Sequence, residues 1–216
     1  MEFSRLLTIV GDDPVFESAL LMAGNVTPQS VRVQLARWTE TGLIYQLRRG
    51  VYAIAPPYQK VKPHPYLIAN HLRRASYVSS QSALAFYGLI PDVVQITLSV
   101  TSARPERLET PLGTFEFRHI KPAVLSGYCM TRLSQTQPVQ QALIATPEKA
   151  LLDLIYLHPG GDQPDYLREL RLQNLERLDL DELLRHTKTF NTPKIYRAFD
   201  TIARMKSAEA QEYAIL

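Results

Sequence analysis

Apolar residues recur at helical spacing from the start of the chain. Phe3, Leu6, Leu7 and Val10 share one face, and Gly11 stops the run. Pro14 predicts the opening of a second helix, with Phe16, Leu20 and Leu21 as its stripe and an end near Gly24. Thr27-Pro28 is an N-cap followed by proline at the first helical position, so a third helix runs from residue 27 to Thr41, closed by Gly42. Within it Val31, Leu35 and Trp38 stand at i, i+4 and i+7 and face a core. Leu43–Leu47 and Val51–Ile54 are β-prone runs around Arg48-Arg49-Gly50, the pattern of a hairpin. Ala55–Pro65 then holds four prolines in eleven residues. Proline fixes φ and biases its predecessor towards extended backbone, so this stretch predicts a stiff linker. It divides residues 1–57 from residues 58–216.

The second segment mixes helical and alternating patterns. Pro65–Arg74 reads as a helix, and Ser79 or Ser80 can cap another whose stripe is Ala83, Leu84 and Tyr87, closed by Gly88. Val93–Thr101 alternates, with Val94, Ile96, Leu98 and Val100 predicted to face inward. Gly113–Ile120 alternates likewise, and further strands are predicted over Tyr128–Leu133 and Gln140–Ala145. Thr146-Pro147-Glu148 starts a helix with a cap, a proline and an acid near the positive end of the dipole; Ala150, Leu151, Leu154 and Ile155 are its apolar side. Beyond the Pro159-Gly160-Gly161 break the chain is charged and helical, with helices predicted over Asp181–Thr187 and Pro193–Met205. The fold class is therefore α+β: an N-terminal winged helix-turn-helix, then a larger mixed α/β domain whose end, residues 160–216, is helical.

The composition, 45% hydrophobic and 21% charged, is that of an ordinary globular chain. No stretch approaches ~18 uninterrupted apolar residues, so no membrane span is expected. The first residues lack the pattern of a secretory signal. The single cysteine, Cys129, excludes an internal disulfide, and a reducing cytoplasm is the expected location.

Net charge is only +3, but its distribution is uneven. From Thr41 to Pro91 there is no Asp or Glu, while Arg48, Arg49, Lys60, Lys62, Arg73 and Arg74 fall in that run. A one-sided positive region is the usual footprint of a polyanion partner. The first 57 residues hold five bases and five acids, so they are not basic in bulk. Four of those acids precede residue 18, and four of the bases lie at residue 32 or later, which favours one positive face. Three helices and a hairpin follow the order of a winged helix-turn-helix, whose third helix enters the major groove of double-stranded DNA. Away from its core stripe, that helix offers Thr27, Gln29, Ser30, Arg32, Val33 and Arg37, with no acid until Glu40. Gln and Arg can pair bidentately with base edges. Arg48, Arg49 and Gly50 at the wing tip suit phosphate or a narrow minor groove. Lys60, Lys62, Arg73 and Arg74 are candidate phosphate contacts on the flank. The same module without DNA contact would be a protein-interaction domain.

Other chemistries find little footing. None of the five histidines pairs at helical metal-ligand spacing, and each reads as a surface or helix-end residue. There is no phosphate-binding glycine loop and no nucleophile elbow, so neither catalytic nor metal residues are assigned and no cofactor is expected. Cys129 lies in an apolar stretch and reads as a buried packing residue. Pro91-Asp92 with Glu116-Phe117-Arg118 loosely matches a Mg²⁺-dependent nuclease pattern, two carboxylates and a cation near one strand end. Arg118 stays protonated and cannot serve as its base.

Four stretches together resemble a known family. They are Leu47-Arg48-Arg49-Gly50-Val51-Tyr52-Ala53, the segment from Tyr77 to Leu89, the two strands Val94–Val100 and Gly113–His119, and the segment from Ala145 to Tyr156. In their order and spacing the chain resembles the AbiEi-type antitoxins, transcriptional regulators of type IV (abortive infection) toxin–antitoxin systems. The resemblance implies a non-catalytic, phage-defence repressor of its own operon. Its winged helix, residues 1–57, would bind operator repeats. Its antitoxin-like domain, residues 58–216, would oppose a nucleotidyltransferase-like toxin without a stable complex.

Overall fold

Local signals set the first elements. The structure, a computed structural model, describes residues 1–22, 26–92, 94–133 and 138–213. Helix α1 spans Phe3–Val10 and ends at Gly11, whose φ of 60° favours glycine. Helix α2 spans Pro28–Glu40; the Thr27 hydroxyl accepts from the Ser30 N–H at 3.3 Å and so caps it. Strands β2 (Ile44–Arg48) and β3 (Val51–Ile54) form the expected hairpin. Val31, Leu35 and Trp38 of α2 face inward, packed with Leu6, Val10, Ile44 and Ile54.

Residues 14–22 depart from the helical expectation. Phe16–Glu17 is a strand, here β1, followed by a 3-10 turn over Ser18–Met22. The outer edge of β3 was open, and β1 fills it: Phe16 pairs with Tyr52, Glu17 with Val51, and Ser18 N donates to Gly50 O at 2.8 Å. Stacking of the Phe16 and Tyr52 rings at 5.7 Å adds to the pairing. Phe16 and Leu21 are buried, but Leu20 is exposed. The expected helix end at Gly24 lies outside the described residues. The result is a three-stranded antiparallel sheet ordered β1-β3-β2.

The body is built on a six-stranded mixed sheet ordered β6-β7-β5-β4-β9-β8. Its elements are α3 (Pro65–Leu72), β4 (Ser76–Val78), α4 (Ser80–Phe86), β5 (Ile96–Thr101), β6 (Glu106–Thr110), β7 (Gly113–His119), β8 (Tyr128–Arg132), β9 (Gln141–Ala145), α5 (Pro147–Leu157), α6 (Pro164–Glu169), α7 (Leu180–Phe190) and α8 (Pro193–Tyr213). The chain is thus mixed α+β, with eight α-helices and two sheets among the described residues. No described helix is long and apolar enough to cross a membrane. Strand β5 reverses the expected alternation: Thr97 and Ser99 are buried while Ile96 and Leu98 are half-buried. It is an interior strand with β7 and β4 at its sides, and α4 packs on it, so neither face is simply solvent. The predicted start at Val93 lies outside the described residues.

The linker does not separate two independent beads. Val15, Leu47, Val51 and Ala53 belong to the same continuous core as Ile68, Tyr77 and Phe117. Gln59 Nε2 donates to Ile54 O at 3.0 Å. Gln140 holds the far end, accepting from His64 N at 2.7 Å and donating to Lys62 O at 2.9 Å. Three ion pairs cross the junction: Arg48 with Glu106 (3.4 Å), Arg74 with Glu17 (2.8 Å), and Lys60 with Asp12 (3.1 Å); within the body, Arg73 shares the Glu106 carboxylate.

Candidate nucleic-acid interface

Helix α2 buries three side chains of one stripe, and that orientation turns the rest outward. Thr27, Gln29, Ser30, Arg32, Val33 and Arg37 are all exposed. Among the described residues neither Arg32 nor Arg37 forms an ion pair or a side-chain hydrogen bond. The Ser30 hydroxyl donates to Thr27 O at 2.8 Å, leaving its lone pairs available. Val33 is 45% exposed within this polar face. At the helix start a concavity of about 410 Å³ is lined by Met1, Val26, Gln29, Ser30 and Val33, among others. The first turn carries no acid, so nothing on this end of the helix repels a phosphate.

The hairpin divides its two arginines. Arg49 is exposed at the turn, and among the described residues it has no ion-pair partner. Gly50 follows with φ of 87°, a conformation side chains avoid, which fixes the turn. Arg48 points elsewhere: its Nη1 donates to Leu72 O at 2.8 Å and meets Glu106 at 3.4 Å. A register shift between Gln46 and Arg48 accompanies this change of direction. Arg48 is therefore a clasp onto the body, not a free wing-tip cation. Of the flanking set, Lys60 and Arg74 are ion-paired across the junction, Arg73 is ion-paired to Glu106 within the body, and Lys62 is exposed without an ion pair among the described residues. The structure brings together the α2 residues on one helix face, and it leaves Arg49 exposed at the hairpin tip.

A second charged group escaped the sequence reading. Lys149 and Asp153 of α5 are 1% and 0% exposed and form an i, i+4 ion pair. Lys149 Nζ also donates to Tyr77 Oη at 2.8 Å, and the Tyr77 hydroxyl and the Ser79 hydroxyl reach the other Asp153 oxygen at 3.2 and 2.7 Å. Ser79, expected as a helix cap, makes no cap bond to α4 and serves the carboxylate instead. Burial pushes the Asp153 carboxyl up and the Lys149 ammonium down, and each partner's charge opposes the shift of the other. Burial also raises the Tyr77 phenol. Glu148, expected near the positive end of the helix dipole, stands in the first turn of α5; it is 4% exposed and accepts from Asp179 N at 2.9 Å, tying α5 to the start of α7. With no solvent reaching the pair, this cluster welds β4 to α5. The i, i+4 spacing of Lys149 and Asp153 was the only sequence signal for it.

Other expectations are corrected here. His186, read as a surface or helix-end residue, is 2% exposed; its Nε2 lies 3.3 Å from the Glu182 carboxylate without hydrogen-bond alignment. Desolvation, then Arg185, hold its pKa below the ordinary value. Cys129 is exposed, because β8 is an edge strand of the sheet. Asp92 and Glu116 are each engaged by a separate arginine, Arg171 and Arg118, both at 3.2 Å. Among the described residues no three His, Cys, Asp or Glu side chains gather where they could hold a metal ion. No protein-family model matches the chain, and no curated protein matches it.

Proposed function

We propose that this chain is a DNA-binding transcriptional repressor that reads duplex DNA through α2, as a winged helix-turn-helix does. The observation that carries the reading is the outward face of α2, where Gln29, Arg32 and Arg37 stand exposed and the arginines have no ion-pair partner among the described residues. Burying such cations against phosphate or guanine satisfies groups that the folded chain leaves open. The sheet supports the same reading. A short strand after the first helix closes against the returning arm of the hairpin, which anchors a wing beside α2. Arg49 then serves as the wing-tip contact, while Arg48 fixes the wing to the body.

The body is proposed as the antitoxin half of a type IV system. Support comes from two of the four stretches that carry the family resemblance. Tyr77 and Ser79 from one meet Lys149 and Asp153 from the other in a single buried cluster. Such a cluster is a reason for both segments to keep their residue types together. The cytoplasm is the compartment this reading requires. The nuclease alternative has less support, since Asp92 and Glu116 are each tied to their own arginine.

Two experiments test the reading. Gel-shift titration with the DNA upstream of the coding sequence is expected to show salt-sensitive binding, weakened by about 1–3 kcal/mol in Arg32→Ala. Absence of any salt-sensitive shift assigns the module to protein contacts instead. Co-expression with the neighbouring reading frame is expected to relieve growth arrest; arrest that persists removes the antitoxin role.

A further inference from the structure

We infer that Val33 makes this face specific for thymine-containing steps by contacting the thymine 5-methyl group. The inference rests on the duplex-DNA reading above. Val33 sits one helical turn after Gln29 and Ser30 and one turn before Arg37, in the middle of the outward face. A valine here is unexpected on solvent grounds: it is 45% exposed, among polar neighbours, with Ala36 also exposed beside it. The concavity of about 410 Å³ continues this apolar surface from Val33 to Val26 and Met1, themselves 40% and 42% exposed. Core packing does not explain Val33 itself: the core stripe of α2 is Val31, Leu35 and Trp38, of which Val31 also lines the concavity.

The occupant follows from charge and shape. Arg32 and Arg37 flank Val33 on α2 without an ion-pair partner among the described residues, and the first acid on the helix is Glu40, in its last turn. That electrostatic frame selects a polyanion, not a neutral apolar peptide. In the major groove the only apolar group a base pair presents is the thymine methyl. Gln29, one turn away, has the amide geometry for adenine N6 and N7. The arrangement of an amide and an apolar side chain at i and i+4 thus fits a step that places an adenine next to a thymine.

The test removes the methyl and nothing else. The upstream duplex is amplified once with thymidine triphosphate and once with deoxyuridine triphosphate, and both products are titrated with wild-type protein and with Val33→Ala. Wild type is expected to bind the thymine duplex about fourfold tighter for each methyl contacted. Val33→Ala is expected to bind both duplexes equally, with the salt slope of wild type. Equal affinity of wild type for the two duplexes, with normal salt dependence, overturns the thymine assignment and leaves the DNA interface standing. Discrimination that survives in Val33→Ala overturns the role of Val33. Failure of wild type to bind either duplex overturns the DNA reading and this inference together. Far-ultraviolet circular dichroism and thermal unfolding of Val33→Ala, expected to match wild type for so exposed a residue, exclude misfolding as a cause.

Discussion

Charges on α2 and charges on α5 are the same chemical types in opposite circumstances. Arg32 and Arg37 stand in solvent with no ion-pair partner among the described residues, while Lys149 and Asp153 are removed from solvent and answered by each other, Tyr77 and Ser79. An open charge has binding free energy still to realise; a buried and saturated one has already realised it in the fold. On the proposed reading, the difference separates residues that would read an external partner from residues that hold β4 against α5. It also explains Arg48, which resembles Arg49 in sequence but belongs with the structural group because Leu72 O and Glu106 occupy it.

Substitutions sharpen this contrast. Lys149→Met leaves the Asp153 carboxylate buried without its counter-ion, so urea unfolding is expected to show a loss of about 3–5 kcal/mol. Pairing it with Asp153→Leu is expected to recover much of that loss, because no charge is then stranded. Arg32→Ala is expected to do the reverse: DNA affinity falls by about 1–3 kcal/mol while the unfolding midpoint stays put. A drop in stability for Arg32→Ala, or none for Lys149→Met, breaks the division.

Glu106→Gln probes the borderline case. It unpairs Arg48 and Arg73 at the junction, where all three side chains are partly exposed. Stability is expected to fall by on the order of 1 kcal/mol. Two freed cations beside the proposed interface are expected to steepen the salt dependence of DNA binding by up to about two in the log–log slope. An unchanged slope would mean that neither arginine can reach phosphate.

The smallest effect concerns pH. Desolvation holds the pKa of His186 below the ordinary 6.5, with Arg185 and Lys149 adding to it against Glu182 and Glu148. His71 and His64 shift the same way, both through burial first. Folded protein therefore binds fewer protons than unfolded protein once the pH falls below about 6.5, and acidification favours unfolding from that point. The unfolding free energy is expected to be level above pH 7 and to decline from pH 6.5 to 5, at no more than about 1.4 kcal/mol per pH unit for each histidine, read by urea unfolding across that range. In His186→Gln the decline should be shallower.

What the sequence shows depends on how local its cause is. Helices α1, α2, α5, α7 and α8, the β2–β3 hairpin and strands β7 to β9 follow from caps, glycine stops and periodicity within a few residues. Phe16 became a strand because its partner, Tyr52, lies at the other end of the module, and no period within residues 14–22 announces that pairing. Ser76–Val78 is three residues long, too short for alternation to register, yet it is a central strand. The exposed face of α2 was legible for the same reason its core stripe was: a helix that buries Val31, Leu35 and Trp38 must turn Arg32 and Arg37 outward. The fate of Arg48 was not, because Glu106 is 58 positions away. Nor was the burial of Lys149, whose hydroxyl partner is 72 positions away.

The decisive titration is duplex DNA against wild type and against Arg32→Ala/Arg37→Ala/Arg49→Ala, followed by fluorescence anisotropy across a series of salt concentrations. If the open arginines of α2 and the hairpin tip carry binding, the logarithm of the wild-type affinity falls linearly with the logarithm of salt, and the triple variant loses about three units of slope. Equal slopes for the two proteins, or wild-type binding indifferent to salt, would contradict the account.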